Sequence, residues 1–265
     1  MIRIDEIYDN VMLPLVKAIP NTALHWFDPF GSTSFKDLRS KPVIYGDPAY
    51  IIMWDQEPLY RYRFEELITQ LKPTKFTYKN KGILITSEYN SEDVDWAMDT
   101  YGLESGYYFF HAWAALDWYR GYDRTSIAQK FSERKPYNTF LCPNNIIGGE
   151  RKHRIEMLQQ FVGRNLLERN LISFPDVCPY EGQSLQLLCV KYELDCPNVK
   201  LPLVIDNGAG YAAQSHRIDL WPHANNSLIH IVTETVYRGK KNHLTEKSFK
   251  PIVMQQPFII QSCKG

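Results

Sequence analysis

Short, nearly continuous apolar runs recur along the chain and predict buried β-strands. Such runs suit strands that are covered on both faces, as in a parallel sheet, better than strands with one wet face. The segments between several of them carry apolar residues at helical spacing. The runs lie at residues 50–54, 82–86, 139–142, 228–232 and 258–260. Strands that alternate with helices predict an α/β protein.

Helices are predicted at residues 64–71, 93–101 and 155–161, where the apolar positions recur at helical spacing. Between residues 171 and 219 the sequence is rich in loop formers, and we expect strands there at residues 185–190 and 203–206.

A length of 265 residues favours two domains. The polar segment at residues 132–138, which contains a proline, is typical of a linker. We therefore place one domain at residues 1–135 and a second at residues 136–265.

The last predicted helix begins after Thr245, a residue type that accepts hydrogen bonds from first-turn amides. Lys247 falls in that turn, where the unpaired N–H groups already make the surroundings positive. A bound phosphate would make a cation there favourable, and the neighbouring Glu246 could accept hydrogen bonds from ribose hydroxyls. Alternatively, Glu246 and Lys247 are ordinary solvated residues. Pro251 should kink or shorten this helix.

A second basic cluster follows the strand predicted at residues 139–142. It comprises Arg151, Lys152, His153 and Arg154, at the start of the next predicted helix. Two basic helix starts that each follow a strand suggest one anion held from both sides. The alternative is that each cluster belongs to the solvated surface.

Acidic residues follow the strand predicted at residues 50–54. Asp55 and Glu57 lie where α/β sheets bind their ligands. Burial beside Trp54 and Tyr60 would raise the pKa of Glu57 and suit it to act as a general base. Alternatively, both acids only cap the helix that begins after Pro58.

Composition narrows the class of protein further. Lys and Arg together number 30, as do Asp and Glu, so no global charge favours nucleic acid. Five cysteines without C-x-x-C spacing, together with an acidic N-terminus, favour a reduced, cytoplasmic protein without a zinc site. Aromatic residues make up 14% of the chain, which is typical of surfaces that stack on sugars or bases, or of an aromatic core.

Three sequence blocks resemble a known family. FLCPNN followed by Arg151 and Arg154, then SLIHIVTET, then HLTEKSFKPI are similar to the C-terminal half of the α-1,3-fucosyltransferases. The resemblance is closer still to the fucosyltransferase-like glycosyltransferases of bacteriophages. It implies two Rossmann-like domains in the GT-B arrangement. Relative to the family, the second domain is shortened at its C-terminal end, and we expect it to be the less stable of the two.

The resemblance also implies roles for individual residues. Lys247, with Arg154 or Arg151, would contact the donor diphosphate, and Glu246 would contact the ribose. The DQEP segment resembles the family's E-S-P segment, which implies that Glu57 is the base. If Glu57 is not the base, we expect Asp55 or Glu88 to take that role. The remaining donor-site positions implied by the blocks are Asn144, Glu234, His243 and Thr245.

The implied reaction is inverting, metal-independent transfer of a sugar from a UDP- or GDP-linked donor to a hydroxyl group. The chain departs from the family where His243 replaces a tyrosine and where VTET replaces Phe-Glu-Asn, so the sugar or nucleotide can differ. We expect no resident metal or cofactor and favour a glycan or small acceptor.

Two alternatives remain. The acceptor could be hydroxymethylated bases in phage DNA, which a local cluster of Lys and Arg at residues 61–81 would favour. The chain could also be a non-catalytic carbohydrate- or protein-binding module that retains the fold.

Overall fold

The computed structural model describes residues 13–18, 22–27, 39–40, 49–54, 59–71, 82–107, 132–205 and 221–263. The chain forms two compact units. Unit 1 comprises Met1–Trp113, Gly239–His243 and Cys263–Gly265, and unit 2 comprises Ala114–Arg238 and Leu244–Ser262. The division predicted at residues 135 and 136 stays a prediction, because residues 108–131 lie outside the described part.

Unit 1 contains a five-stranded sheet in the order β2-β1-β3-β4-β5. The pairs β1–β3, β3–β4 and β4–β5 are parallel, and β2 runs antiparallel to β1 at one edge. Its strands are β1 (Thr22–Phe27), β2 (Arg39–Ser40), β3 (Ala49–Trp54), β4 (Gly82–Thr86) and β5 (Leu103–Tyr107). Its helices are α1 (Leu13–Ala18), α2 (Arg61–Leu71) and α3 (Glu92–Tyr101).

Large apolar side chains from β3 and α2 form the core of unit 1. Trp54 and Phe64 are fully buried, and their rings meet edge to face with centroids 5.7 Å apart. The helix α3 begins at Ser91, whose hydroxyl accepts from the Val94 amide, and ends at Gly102, which adopts a left-handed conformation. Both ends of α3 therefore follow from the local sequence.

Unit 2 contains a four-stranded, fully parallel sheet in the order β7-β6-β8-β9. Its strands are β6 (Asn138–Pro143), β7 (Leu171–Ser173), β8 (Ser227–Thr233) and β9 (Phe258–Gln261). Its helices are α4 (Lys152–Gly163), α5 (Leu185–Lys191), α6 (Trp221–Asn225) and α7 (Glu246–Val253).

The strand order of unit 2 reverses direction between its two central strands. From β6 the chain passes through α4 to β7 on one side, and from β8 it passes through α7 to β9 on the other side. In open α/β sheets, ligands bind beyond the carboxyl ends of the strands at such a reversal. The place to search for a site in unit 2 is therefore the edge where β6 and β8 end.

The structure confirms the predicted α/β class and the parallel strands, and it is compatible with a Rossmann-like fold. Each of the five apolar runs forms a strand, and the helices predicted at residues 64–71, 93–101 and 155–161 are present. The helix predicted after Thr245 is also confirmed, and it includes Pro251 near its C-terminal end. Leu228 departs from the expectation of two covered faces, because it is 51% exposed.

The strand predicted at residues 185–190 is wrong, because this segment is the helix α5. Ser184 caps the helix by accepting from the Leu187 amide, and Leu185, Leu188 and Cys189 are buried at helical spacing. The strand predicted at residues 203–206 is also wrong over its described part, where Leu203 only forms an isolated bridge to Phe174. No helix in the described ranges is long and apolar enough to cross a membrane.

Candidate functional site

Polar side chains connect the carboxyl ends of three adjacent strands in unit 2. Ser173 ends β7, Asn144 directly follows β6, and Thr233 ends β8. The Thr233 hydroxyl donates to Oδ1 of Asn144 at 2.6 Å, and the backbone amide of Asn144 donates to the hydroxyl of Ser173 at 3.0 Å. This edge, at the strand reversal between β6 and β8, is the candidate site and is called the carboxyl edge below.

A buried carboxylate occupies the carboxyl edge beside the start of α7. Glu234 has no solvent exposure. Its oxygens accept from the Thr245 amide at 3.0 Å, the Thr245 hydroxyl at 2.6 Å, the Thr235 amide at 3.2 Å and the Ser248 hydroxyl. All these donors are neutral, and three of them belong to the first turn of α7 or its cap. Negative charge at this place is favourable because the helix dipole is positive there.

Lys247 lies over the same helix start. Its side chain is 32% exposed, and its Nζ lies 3.0 Å from Oε1 of the buried Glu246. The Nζ also donates to the hydroxyls of Thr235 and Thr245 at 3.0 and 3.3 Å. The predicted cap is confirmed, since Thr245 accepts from the Lys247 amide. A partly exposed cation is thus held beside the first-turn amides.

Arg154 spans the ends of the two central strands. It is 3% exposed, and its guanidinium donates to the carbonyls of Ile146 at 2.6 Å and Thr233 at 2.9 Å. Burial, followed by the charge of Arg151, lowers the pKa of Arg154 to about 9, so the group stays charged at neutral pH. Within the described residues its Nε has no hydrogen-bond partner.

Two neighbours of Arg154 differ in charge. Arg151 is half-buried and donates to the carbonyl of Gly148 at 3.3 Å. His153 is buried, its Nε2 lies 2.9 Å from the carbonyl of Glu234, and its ring stacks on Tyr237 at 4.4 Å. Burial, then the charge of Arg154, lowers the pKa of His153 to about 3, so it is neutral at physiological pH.

Charged groups of both signs meet at the carboxyl edge. Arg151, Arg154 and Lys247 are positive, and Glu234 and Glu246 are negative. A further carboxylate, that of Glu181, lies against Gly148 and Gly149 near the Arg151 guanidinium. Because Arg154 donates to backbone carbonyls and Lys247 is partly exposed, an anion with several oxygen acceptors could bind these cations and the first-turn amides of α7.

A second polar cluster lies in unit 1, where β4 ends. Glu88 is buried and accepts from the Leu59 amide and from the Ser91 hydroxyl. The buried ammonium of Lys241 lies 3.3 Å from Glu88 and 2.5 Å from Asp93. Asp93 also pairs with Arg61 at 2.6 Å. Among the described residues, each of these two cations therefore has a carboxylate partner.

Of the predicted site residues, the structure brings Asn144, Arg151, Arg154, Glu234, Thr245, Glu246 and Lys247 to unit 2's carboxyl edge. His243 instead belongs to unit 1, where its Nδ1 lies 3.2 Å from the carbonyl of Ser87. Asp55 and Glu57 lie outside the described residues. The described ranges hold no group of three His, Cys, Asp or Glu residues arranged for a metal ion.

Sequence reasoning did not find the hydroxyl network of the carboxyl edge. The Thr233 hydroxyl donates to Asn144, and the Ser248 hydroxyl donates to Glu234. The Thr235 hydroxyl accepts from Lys247. The available signal was the recurrence of Ser and Thr just after a buried strand and within the next helix start. Comparison with protein-family models, curated proteins and solved structures gives no match.

Proposed function

We propose that unit 2 binds the diphosphate of a nucleotide sugar at its carboxyl edge, and that the chain is an inverting, metal-independent glycosyltransferase of the GT-B kind, with two Rossmann-like domains. The observation that carries this proposal is the partly exposed Lys247 in the first turn of α7, together with the buried Arg154, at the strand reversal between β6 and β8. Parallel sheets bind ligands at this position, and a diphosphate would bind to these cations.

Lys247 is the cation best suited to contact the ligand. Its side chain is 32% exposed, whereas Arg154 is buried and donates to backbone carbonyls. A diphosphate oxygen would compete with Glu246 for the Lys247 ammonium. The carboxylate of Glu246, once released from that ion pair, could accept hydrogen bonds from ribose hydroxyls. One exchange of partners would thus recognise both the phosphates and the sugar of a nucleotide.

Lysine and arginine can also replace a metal ion in the reaction. When the bond between the anomeric carbon and the phosphate oxygen breaks, negative charge builds on the leaving diphosphate. Fixed cations and first-turn amides stabilise that charge without needing to reorganise. In this proposal Lys247 and Arg151 supply the contact, and Arg154 keeps the strand ends in place and adds to the positive potential.

The acceptor side of the proposal rests on the family resemblance and on sequence position. Glu57 closely follows β3, whose last residue, Trp54, is fully buried. In the proposed reaction Glu57 takes the proton of an acceptor hydroxyl, and the hydroxyl oxygen attacks the anomeric carbon opposite the leaving diphosphate. One carbon–oxygen bond forms as the other breaks, so the configuration inverts. A glycan or small hydroxyl compound is the preferred acceptor.

Calorimetric titration with UDP, GDP and their sugars, with and without chelator, tests the donor site. We expect binding in the micromolar range that chelator does not affect, and about tenfold weaker binding by Lys247→Ala. Lys135→Ala, which removes an exposed lysine of unit 2, is the matched control and should bind as the wild type does.

Three results would contradict the proposal. They are the absence of nucleotide binding, its loss on addition of chelator, and equal affinity of the Lys247→Ala variant. Glycan binding that does not depend on a nucleotide would favour a non-catalytic binding module instead.

A further inference from the structure

The chain reverses its direction directly after α5. Tyr192 ends the helix, and Glu193 adopts a left-handed conformation with a φ of +56°. The Leu194 amide donates to the carbonyl of Cys189 at 2.9 Å, and the Glu193 amide donates to that of Val190 at 3.2 Å. This pair of bonds is the turn by which many helices end. The residues that follow Leu194 therefore run back past the last turn of α5.

The returning segment is fixed against the hydrophobic cluster that contains Cys189. Leu194 and Val199 both pack against this cluster with partly buried side chains. The carbonyl of the residue before Cys196 accepts from Nε2 of Gln159 in α4 at 2.6 Å. Cys196 lies between these anchored positions, so the backbone brings it to the surface of the cluster in which Cys189 is buried.

Cys189 and Cys196 form a pair in which one thiol is buried and the other is exposed. Cys189 is 2% exposed, Cys196 lies on the surface, and both thiols are free. Burial, followed by the charge of the Cys196 side chain, raises the pKa of Cys189 to about 12. This electrostatic interaction requires the two side chains to be close, as the backbone turn also indicates. A pair of free thiols therefore lies at the end of α5.

Cys196 is the thiol that a dissolved oxidant reaches first. The chain has five cysteines, all within the described residues, and the other four are buried. Oxidation of a thiol depends on its exposure and on its fraction of thiolate. Burial and a raised pKa both protect Cys189 from direct attack. The two cysteines are thus suited to different steps of one oxidation.

We propose that Cys189 and Cys196 are a peroxide-sensitive thiol pair that closes to a reversible disulfide. In the first step the Cys196 thiolate attacks an oxygen of a hydroperoxide, the O–O bond breaks, and the leaving oxygen takes up a proton. The products are a sulfenic acid on Cys196 and, from hydrogen peroxide, water.

The second step forms the disulfide. The Cys189 sulfur attacks the sulfenic sulfur, the S–O bond breaks, and the hydroxyl leaves as water with the proton of the Cys189 thiol. The two cysteines together lose two electrons, and the hydroperoxide gains them. Two molecules of a small thiol such as glutathione reverse the change by reducing the disulfide.

The first step also prepares the second. The charge of Cys196 raises the pKa of Cys189 only while Cys196 is an anion. Oxidation to the uncharged sulfenic acid removes that charge, so the Cys189 proton is then lost more easily. This order keeps Cys189 unreactive until its partner has been oxidised. None of these steps uses the residues of the carboxyl edge, so the inference stands apart from the proposed function.

Mass spectrometry of the intact chain tests the bond. Hydrogen peroxide in small excess should lower the mass by two hydrogen atoms, and dithiothreitol should restore it. Lys191 lies between the two cysteines, so trypsin should release two peptides that the disulfide joins. Cys196→Ser should abolish the mass loss. Cys178→Ser is the matched control, because Cys178 is buried in the same cluster, and it should lose the two hydrogen atoms as wild type does.

Trapping of the sulfenic acid tests the order of the two steps. Cys189→Ser cannot form the disulfide, so peroxide followed by dimedone should label Cys196 strongly in this variant. Wild type should lose most of that label, because Cys189 consumes the sulfenic acid. Circular dichroism of the serine variants should match wild type, which separates the loss of a thiol from the loss of the fold.

Three results would overturn the inference. They are a wild type in which peroxide forms no bond between Cys189 and Cys196, a disulfide that instead links Cys196 of two molecules, and a dimedone label on wild type as strong as that on Cys189→Ser.

Discussion

Two buried glutamates, one in each unit, occupy similar positions after a strand, but different groups contact their carboxylates. Glu88 follows β4 and Glu234 follows β8, and both are buried. Glu88 contacts the ammonium of Lys241, whereas Glu234 contacts only hydroxyls and backbone amides. In unit 1 the positive charge that balances the carboxylate comes from a paired lysine.

This difference in the contacts of the two glutamates indicates which strand end is better suited to bind a ligand. Among the described residues of unit 1, Lys241 and Arg61 are paired with Glu88 and Asp93, so each of these cations already has a carboxylate partner. In unit 2, Arg154 donates to carbonyls. Its positive charge is therefore able to attract an anion. Glu88, which could substitute for Glu57 as a base on sequence grounds, is instead committed to its ion pair.

Removal of Glu88 should have the largest effect on stability. Glu88→Ala leaves the buried ammonium of Lys241 with only Asp93, and the loss of one partner from a buried pair costs about 3 kcal/mol or more. The free energy of unfolding of unit 1, measured by hydrogen exchange, should fall by that amount. Glu66→Ala, at an exposed position of α2, is the control. A loss below about 1 kcal/mol would mean that the cluster is not a closed ion pair.

Low pH should destabilise unit 2 more than unit 1. Burial lowers the pKa of His153 to about 3 and that of His230 to about 4, from an ordinary value of 6.5. Both histidines belong to unit 2. The two histidines take up protons at a higher pH in the unfolded chain than in the folded chain. The free energy of unfolding of unit 2 is therefore greatest above pH 6.5 and falls as the pH drops toward the histidine pKa values of the folded state. Each histidine contributes up to about 1.4 kcal/mol per pH unit.

Unit 1 should resist acid over the same range. Burial alone would raise the pKa of Asp93, but Lys241 and Arg61 outweigh burial, and the net pKa lies below the ordinary 3.8. This contribution is therefore lost only as the pH falls below about 4. Hydrogen exchange between pH 7 and pH 4.5 should show unit 2 losing protection first, and His153→Gln with His230→Gln should flatten its slope. Loss of unit 1 first would contradict the comparison.

Glu234→Gln should have an intermediate effect. The amide replaces one acceptor oxygen by a donor that faces the Thr245 or Ser248 donors, so at least one buried hydrogen bond is lost. The cost should be about 2 kcal/mol in the free energy of unfolding of unit 2. Urea denaturation followed by hydrogen exchange of α7 measures it. An unchanged stability would show that the hydrogen bonds of Glu234 do not stabilise the start of α7.

The smallest effect on stability should come from Lys247. A cation at a helix start is slightly unfavourable, and its pair with Glu246 is partly exposed, so Lys247→Ala should change stability by less than about 0.5 kcal/mol. Lys241→Met, by contrast, should cost about 3 kcal/mol, because it leaves the buried carboxylate of Glu88 without its cation. Similar losses from both substitutions would remove the distinction between the two clusters.

Local pattern predicted much of this arrangement and missed its long-range part. The apolar run of β8 and the capping residue Thr245 correctly predicted the strand, the helix and the place of Lys247. The pairing of Glu88 with Lys241 could not be predicted, because their contact depends on how the chain places Gly239–His243 in unit 1. The sequence also could not show that the Arg154 guanidinium would donate hydrogen bonds to backbone carbonyls.

The helix α5 shows the limit of reading short apolar segments. Leucine-rich residues 185–190 suit a strand or a buried helix equally well, and the serine before them decided the outcome by capping a helix. The short strand β7 was missed because only Leu171–Ser173 pair with β6, a length with no usable periodicity.

Hydrogen exchange with and without ligand tests the central claim most directly. Saturating UDP or GDP should protect backbone amides in residues 144–154 and 244–248, which form unit 2's carboxyl edge, and should leave residues 87–95 of unit 1 unchanged. Protection confined to residues 87–95, or no protection in either region at saturating nucleotide, would contradict the account that the cations at the carboxyl edge of unit 2 form the binding site.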